Sequence, residues 1–402
     1  MPFKVLRFDF KSPLFRTYRH YRKNLMVDEY TDRYVNGLIE RSSKFDKDIN
    51  FNRKYLNLEN SISDVIQKRN DENSKIKAEI HEHAINTRML CHPLVFKLLR
   101  KFIDCKKSSG TEIEKQFYTK LSQEGDAAMI FRIFQKRPVV FYTEVDSYML
   151  QSGETGYGGF DDIPRNTSGE FVLENLISYD EMQISALMSV SVPTHFINAG
   201  GRRKRELYMD PVQGNYVPKG IYVGSVGARF EVPKRMEWQH MIVSASQNRP
   251  GNGYGKEKSH TNTLLNLWKE FYGQLIPNRT DFHFPTYKEV TDLKTSDPQV
   301  FSSRYIVLNI VDTESPTLPM YLDKEIYKAR MRVTIEPFLL DANQRAKEER
   351  KQAYVVAVGL GLGVWRVHEC QTELLLQAYR LELTTSISFM LFSCNIPNHS
   401  FC

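Results

Sequence analysis

Apolar residues along this chain fall into two regimes that change near residue 110. Residues 1–55 are rich in Arg, Lys and Tyr and show no steady period. Across 56–83, Ile62, Val65, Ile66, Ile76 and Ile80 stand among many charges, which predicts a polar helix. Residues 84–104 hold Met89, Leu90, Leu94, Phe96, Leu98, Leu99, Phe102 and Ile103, the pattern of a more apolar helix interrupted by Pro93. Lys106 to Gly110 reads as a linker. The expected organisation is a basic, mainly helical region over 1–110 and an α/β domain over 111–402.

Beyond that boundary short apolar runs alternate with helical stretches. Val139–Tyr142, Gly220–Gly224, Gln239–Val243, Tyr305–Val311 and Ser386–Phe392 read as strands. Tyr179–Ser189, Thr261–Tyr272, Lys324–Arg350 and about Glu369–Leu383 read as helices. The glycine- and proline-bearing stretches 153–169 and 247–258 read as loops. Tyr305–Val311 is almost wholly apolar, as expected for a strand covered on both faces. Strands alternating with helices predict an α/β fold, a parallel or mixed sheet flanked by helices.

Composition narrows the class. The 402 residues are 41% hydrophobic and 26% charged, enough for a sizeable core. No apolar run reaches the roughly 18 residues of a membrane span, and the N-terminus lacks the apolar core of a secretory signal. A cytoplasmic location, or a nuclear one, is expected. Five cysteines at wide spacing, without a CxxC pair, fit reduced thiols and no zinc knuckle. The net charge of +7 is uneven: residues 1–110 carry 23 Lys and Arg against 14 Asp and Glu. No RNA-binding aromatic motif or zinc finger accompanies the excess, so a solvated helical arm is favoured over a nucleic-acid surface.

Three segments can carry chemistry. The first is an apolar strand, Ala353 to Val358, running into Gly359-Leu360-Gly361-Leu362-Gly363-Val364-Trp365 and then a helix. Backbone N–H groups in such a turn, with the following helix N-terminus, can cradle a phosphate. Glycines let the chain approach it closely. A turn built for packing alone is the competing reading. The second is Gly224-Ser225-Val226-Gly227-Ala228-Arg229-Phe230-Glu231, which follows a strand and can form a second wall or a salt-bridged turn. The third is Asp312, at the end of the most apolar strand, with Asp323 further on. Ligands bind beyond strand ends in open α/β sheets, although Asp323 can equally be the N-cap of the helix it precedes. His240, in an apolar run, reads as a satisfied core histidine. His81-Glu82-His83 is too close for a zinc helix, and no metal site is expected. The glycine turn lacks the GxGxxG spacing and a complete second βαβ half, which argues against a dinucleotide oxidoreductase.

Taken together, Ser178–Glu181, Gly220–Gly224 with Gly227–Glu231, Met236-Glu237-Trp238, Val311-Asp312-Thr313 and Val358–Trp365 with Gln371 resemble the MavL-like family of macrodomain proteins over about residues 130–395. The resemblance implies a macrodomain fold with an ADP-ribose cleft at strand ends. It implies removal of ADP-ribose from a mono-ADP-ribosylated protein, with arginine as acceptor and ubiquitin one candidate substrate. ADP-ribose is then ligand and product, and no cofactor is implied. Carried over residue by residue, Gly359, Gly361, Leu362, Gly363 and Val364 hold the diphosphate, and Trp365 packs beside the distal ribose. Gly224, Val226, Gly227, Ala228, Arg229 and Phe230 form the facing wall. Asp312 and Asp323, then Glu231, are the candidate catalytic carboxylates. An ADP-ribose reader without turnover is the alternative.

Overall fold

The computed structural model describes residues 82–394, apart from 84–85, 139, 143–144, 151, 196–218, 226–235, 258–261, 277–280, 358, 364–365 and 387–389. The basic arm before 82, the wall residues Val226 to Glu231, and Val364 with Trp365 lie outside the described residues. The chain divides into two compact units. Of the described residues, one unit holds 91–189 and those from 225 on; the other holds 82–90 and those of 190–224.

In the second unit the described chain is mainly a three-stranded sheet, in the order β1-β5-β6. Its strands are β1 (Arg88–Cys91), β5 (Met188–His195) and β6 (Lys219–Ser225). The apolar run around Pro93 is therefore a strand followed by a helix, not one interrupted helix. Pro93 opens α1 (Pro93–Ser109), and His92 caps it by accepting from the Leu94 amide. Proline is at home in the first turn, where its missing N–H has no intrahelical partner.

The first unit is mixed α/β. Lys106–Ser109, read as linker, is the last turn of α1, and Lys106 is buried between Glu114 and Asp180 at 2.5 and 2.6 Å. Thr111 and Glu114 form a capping box that starts α2 (Glu112–Gln123), followed by α3 (Asp126–Gln135). Next come β2 (Val140–Tyr142), β3 (Ser147–Met149) and β4 (Thr155–Tyr157), an antiparallel meander. Its third strand occupies sequence expected to be loop. Ser178 and Glu181 box the start of α4 (Tyr179–Ser185). Glu181 is fully buried and meets Arg132 through Nε–Oε1 at 2.6 Å and Nη2–Oε2 at 2.9 Å. Leu150, Phe160, Ile163, Leu173 and Met182 form the core around it.

The remaining elements frame the site. Gln239–Val243, expected as a strand, splits into α5 (Trp238–Met241) and β7 (Ile242–Val243). Then follow α6 (Thr263–Leu275), α7 (Tyr287–Ser296) and α8 (Pro298–Arg304). After them run β8 (Tyr305–Val311), β9 (Pro319–Asp323), α9 (Lys324–Glu348), β10 (Ala353–Ala357), α10 (Gln371–Ser386) and β11 (Met390–Cys394). Strands β7, β9 and β8 make an antiparallel sheet with β9 in the middle. So β8 is not the doubly covered strand its apolar sequence suggested: Val307 and Val311 are 40% and 63% exposed. Tyr305 and Tyr321 pack with Phe301 and Val290. β10 and β11 are parallel, with α10 between them in sequence, which makes a βαβ unit around the glycine turn.

Candidate functional site

The glycine turn emerges from the carboxyl end of β10. Gly361 takes φ 72°, a left-handed conformation that disfavours any residue with a Cβ. The Leu362 amide donates to the Gly359 carbonyl at 3.1 Å, and the Arg366 amide to Gly363 at 3.1 Å. Leu362 therefore closes the turn with its amide instead of offering it to a ligand. Among the described residues no carbonyl accepts from Gly361 or Gly363. A Cβ on Gly359 would sit 3.3 Å from Leu362, so that glycine serves packing; one on Gly363 would meet nothing within 4 Å. Gly363 is the open face of the turn.

Gln371 stands at the first position of α10 and is fully buried. Its Oε1 accepts from the amides of Val367 and His368 at 2.7 and 3.0 Å, which holds the chain leaving the turn. Two electrostatic neighbours locate this end of β10. Burial pushes the Cys370 thiol up to about 11, against the pull of the Lys324 ammonium. Burial pushes the Tyr327 hydroxyl up to about 12, against the Gln371 amide and the Arg330 guanidinium. Lys324 and Tyr327 both lie in the first turn of α9, directly after Asp323. The start of α10 and the first turn of α9, directly after Asp323, are therefore neighbours.

Strand register then separates the two aspartates. Tyr305 pairs with Asp323, and Val311 with Pro319, so Asp312 and Asp323 occupy opposite ends of the β8–β9 pair. At about 3.4 Å per residue, the length of β9 holds them roughly 15 Å apart. Two carboxylates serving one anomeric carbon stand at most about 9.5 Å apart. Asp312 and Asp323 are not brought together.

Each has a local role. The Asp323 carboxylate is almost completely buried. Its Oδ1 caps α9, accepting from the Glu325 and Ile326 amides at 3.0 and 3.2 Å. Its Oδ2 accepts from Arg304 Nε at 2.9 Å and Nη2 at 2.7 Å. Burial disfavours the Arg304 charge, but Asp323 more than offsets it and the guanidinium is held above its usual range. Of the two sequence readings of Asp323, the cap is present.

Asp312 belongs to a polar loop at the far end, after β7. Its Oδ2 accepts from the Ser246 amide and its Oδ1 from the Glu314 amide, both at 3.1 Å. Burial pushes its carboxyl up, yet the Ser246, Glu314 and Ser244 donors outweigh that and hold it below the usual carboxylate range. Asn248 ties the loop together, accepting from the Ser244 amide and donating to the Pro285 carbonyl.

Several residues that matter here carry no motif. Arg304 directly precedes an apolar strand, where a cation is easily read as solvated. Glu237 and Arg330 form a buried ion pair near the start of β7, and Arg330 also donates to Thr334 Oγ1 and the Ala186 carbonyl at 2.7 and 2.6 Å. Burial in the interior is the signal, and a single sequence does not print it. Gly224 is the penultimate residue of β6, and a Cβ there would meet no described atom within 4 Å; Val226, Gly227, Ala228, Arg229, Phe230, Glu231, Val364 and Trp365 lie outside the described residues.

Comparison with known proteins gives consistent results. The family model described as ADP-ribosylhydrolase MavL-like matches residues 50–391. The ADP-ribosylarginine hydrolase CG2909 of Drosophila melanogaster is 29% identical over 314 residues, covering 77% of this chain and 57% of that protein. A second, ADP-ribosylarginine hydrolase CG3568 of the same organism, is 28% identical over 309 residues, covering 75% and 55%. The chain thus spans just over half the length of the curated relatives it matches. With the strand–glycine turn–helix unit matched along with most of the chain, this protein belongs to the MavL-like ADP-ribosylhydrolase family.

Proposed function

We propose that this chain removes ADP-ribose from arginine side chains of mono-ADP-ribosylated proteins, using a macrodomain-like cleft at the carboxyl ends of β9 and β10. The observation that carries this reading is the glycine turn, with an open Gly363 and two amides not taken by described carbonyls, at the head of a βαβ unit. Its amides and the N-terminus of α10 hold the diphosphate. The relatives' names supply the arginine linkage.

In the reaction the bond between the anomeric carbon and the arginine nitrogen breaks, and a water oxygen bonds to that carbon. The products are ADP-ribose and an unmodified guanidinium. Positive charge develops on the sugar, and a carboxylate beside it lowers the barrier. Asp323 is paired with Arg304, and on this reading its part is to fix the start of α9 and that guanidinium. Asp312 sits at the opposite end of the β8–β9 pair from Asp323. Glu231 is the third carboxylate that the family resemblance offers, and it lies outside the described residues. We assign the charge-stabilising role to Glu231.

The test is release of free ADP-ribose from an ADP-ribosyl-arginine protein. Glu231→Gln is expected to lower kcat at least 100-fold while retaining ADP-ribose binding. Asp312→Asn is expected to leave kcat within about threefold at a temperature where the variant is folded. The reverse order overturns the assignment. ADP-ribose binding by the wild-type chain without any release makes it a reader instead.

A further inference from the structure

Four groups at the site's end were not absorbed by the mechanism: Gln371, Tyr327, Cys370 and Lys324. Burial keeps the Cys370 thiol protonated near neutral pH, so it is no nucleophile. Gln371 is different. Its side chain is fully buried, both its acceptor contacts go to backbone amides of the segment leaving the glycine turn, and it begins the helix that follows that turn. Its Nε2 makes no hydrogen bond of normal geometry among the described residues, so the side chain is not there to satisfy both of its own polar ends. An apolar side chain would fill the space without that cost. What glutamine adds is the pair of contacts that fixes where Val367 and His368 turn back into α10.

We infer that Gln371 is the positioning residue of the glycine turn, setting the turn for a diphosphate through the backbone it holds and not by touching the ligand. This rests on the turn being the diphosphate cradle.

The experiment compares wild type, Gln371→Met and Gln371→Glu by calorimetric titration with ADP-ribose and by KM and kcat on an ADP-ribosyl-arginine protein. Gln371→Met fills the volume but cannot accept. ADP-ribose Kd and KM are expected to rise at least tenfold, with kcat within about threefold. Gln371→Glu keeps both acceptor contacts and places a buried negative charge behind the cradle. Its Kd is expected to rise at least tenfold, with little recovery in 0.5 M salt because a buried charge is poorly screened, and its Tm to fall because the carboxylate is desolvated. A lower Tm in Gln371→Met together with wild-type Kd in both variants overturns the inference and leaves a purely structural glutamine. A wild-type chain that does not bind ADP-ribose removes the underlying reading, and this inference with it.

Discussion

At the scale of single residues, burial separates roles that look alike in the sequence. His240 illustrates it. It sits in the core as expected, against Trp268 at 4.6 Å and stacked on Phe284 at 5.2 Å, but it is not satisfied: neither ring nitrogen has a hydrogen-bond partner among the described residues. Burial pushes its pKa down to about 3. The unfolded chain takes up that proton near pH 6.5. Between those values the unfolded state binds more protons, so this residue's effect is absent above pH 6.5. Below it, stability falls by about 1.4 kcal/mol per pH unit. Urea unfolding of wild type and His240→Phe at pH 7.5 and 5.0 checks this. The variant is expected to lose much less stability over that range, and equal losses would show the ring to be free to protonate. The aspartates show the same principle from the other side. Asp312, Asp323 and Glu231 are equivalent as acidic residues near strand ends. Hydrogen bonds make Asp323 a cap and ion-pair partner, and Asp312 the anchor of a distant loop.

At the scale of elements, what was legible was local and what was missed was relational. The glycine turn, the α9 helix and the Asp323 cap follow from neighbouring residues, because caps and turns are made by chain segments a few residues long. Gln239–Val243 was misread because a short apolar run does not distinguish one turn of helix from a strand. The β3–β4 pairing was missed because Thr155-Gly156-Tyr157 carries loop-forming neighbours, and pairing with Ser147–Met149 decides its conformation. The separation of Asp312 from Asp323 depends on antiparallel register, a non-local property that spacing along the chain does not carry. Ion pairs between elements were equally invisible. Arg132 holds Glu181 with two contacts in the interior and also donates to the Leu176 carbonyl at 2.9 Å. Glu181→Ala leaves that cation buried without its partner, and the expected loss is about 3–5 kcal/mol in chemical unfolding. A loss below 1 kcal/mol would mean that the pair is solvated.

At the scale of the molecule, the family match spans residues 50–391 and includes the βαβ unit with its glycine turn, where the proposed function puts the ligand. The described chain explains why the turn is shaped as it is: Gly359 packs, Gly361 takes a left-handed φ, Leu362 closes the turn, Gln371 holds its exit and Gly363 is left open. Among the described residues no helix is long and apolar enough to cross a membrane. The account depends on a nucleotide diphosphate resting on the open side of that turn. The most direct measurement is calorimetric titration of ADP-ribose into wild type and Gly363→Ala. The added methyl meets no atom of the described residues within 4 Å, so Tm is expected to stay within about 2 °C of wild type. It would stand where the diphosphate approaches, and Kd is expected to rise at least tenfold. Equal affinity in the two proteins, or no binding by wild type, would contradict the account.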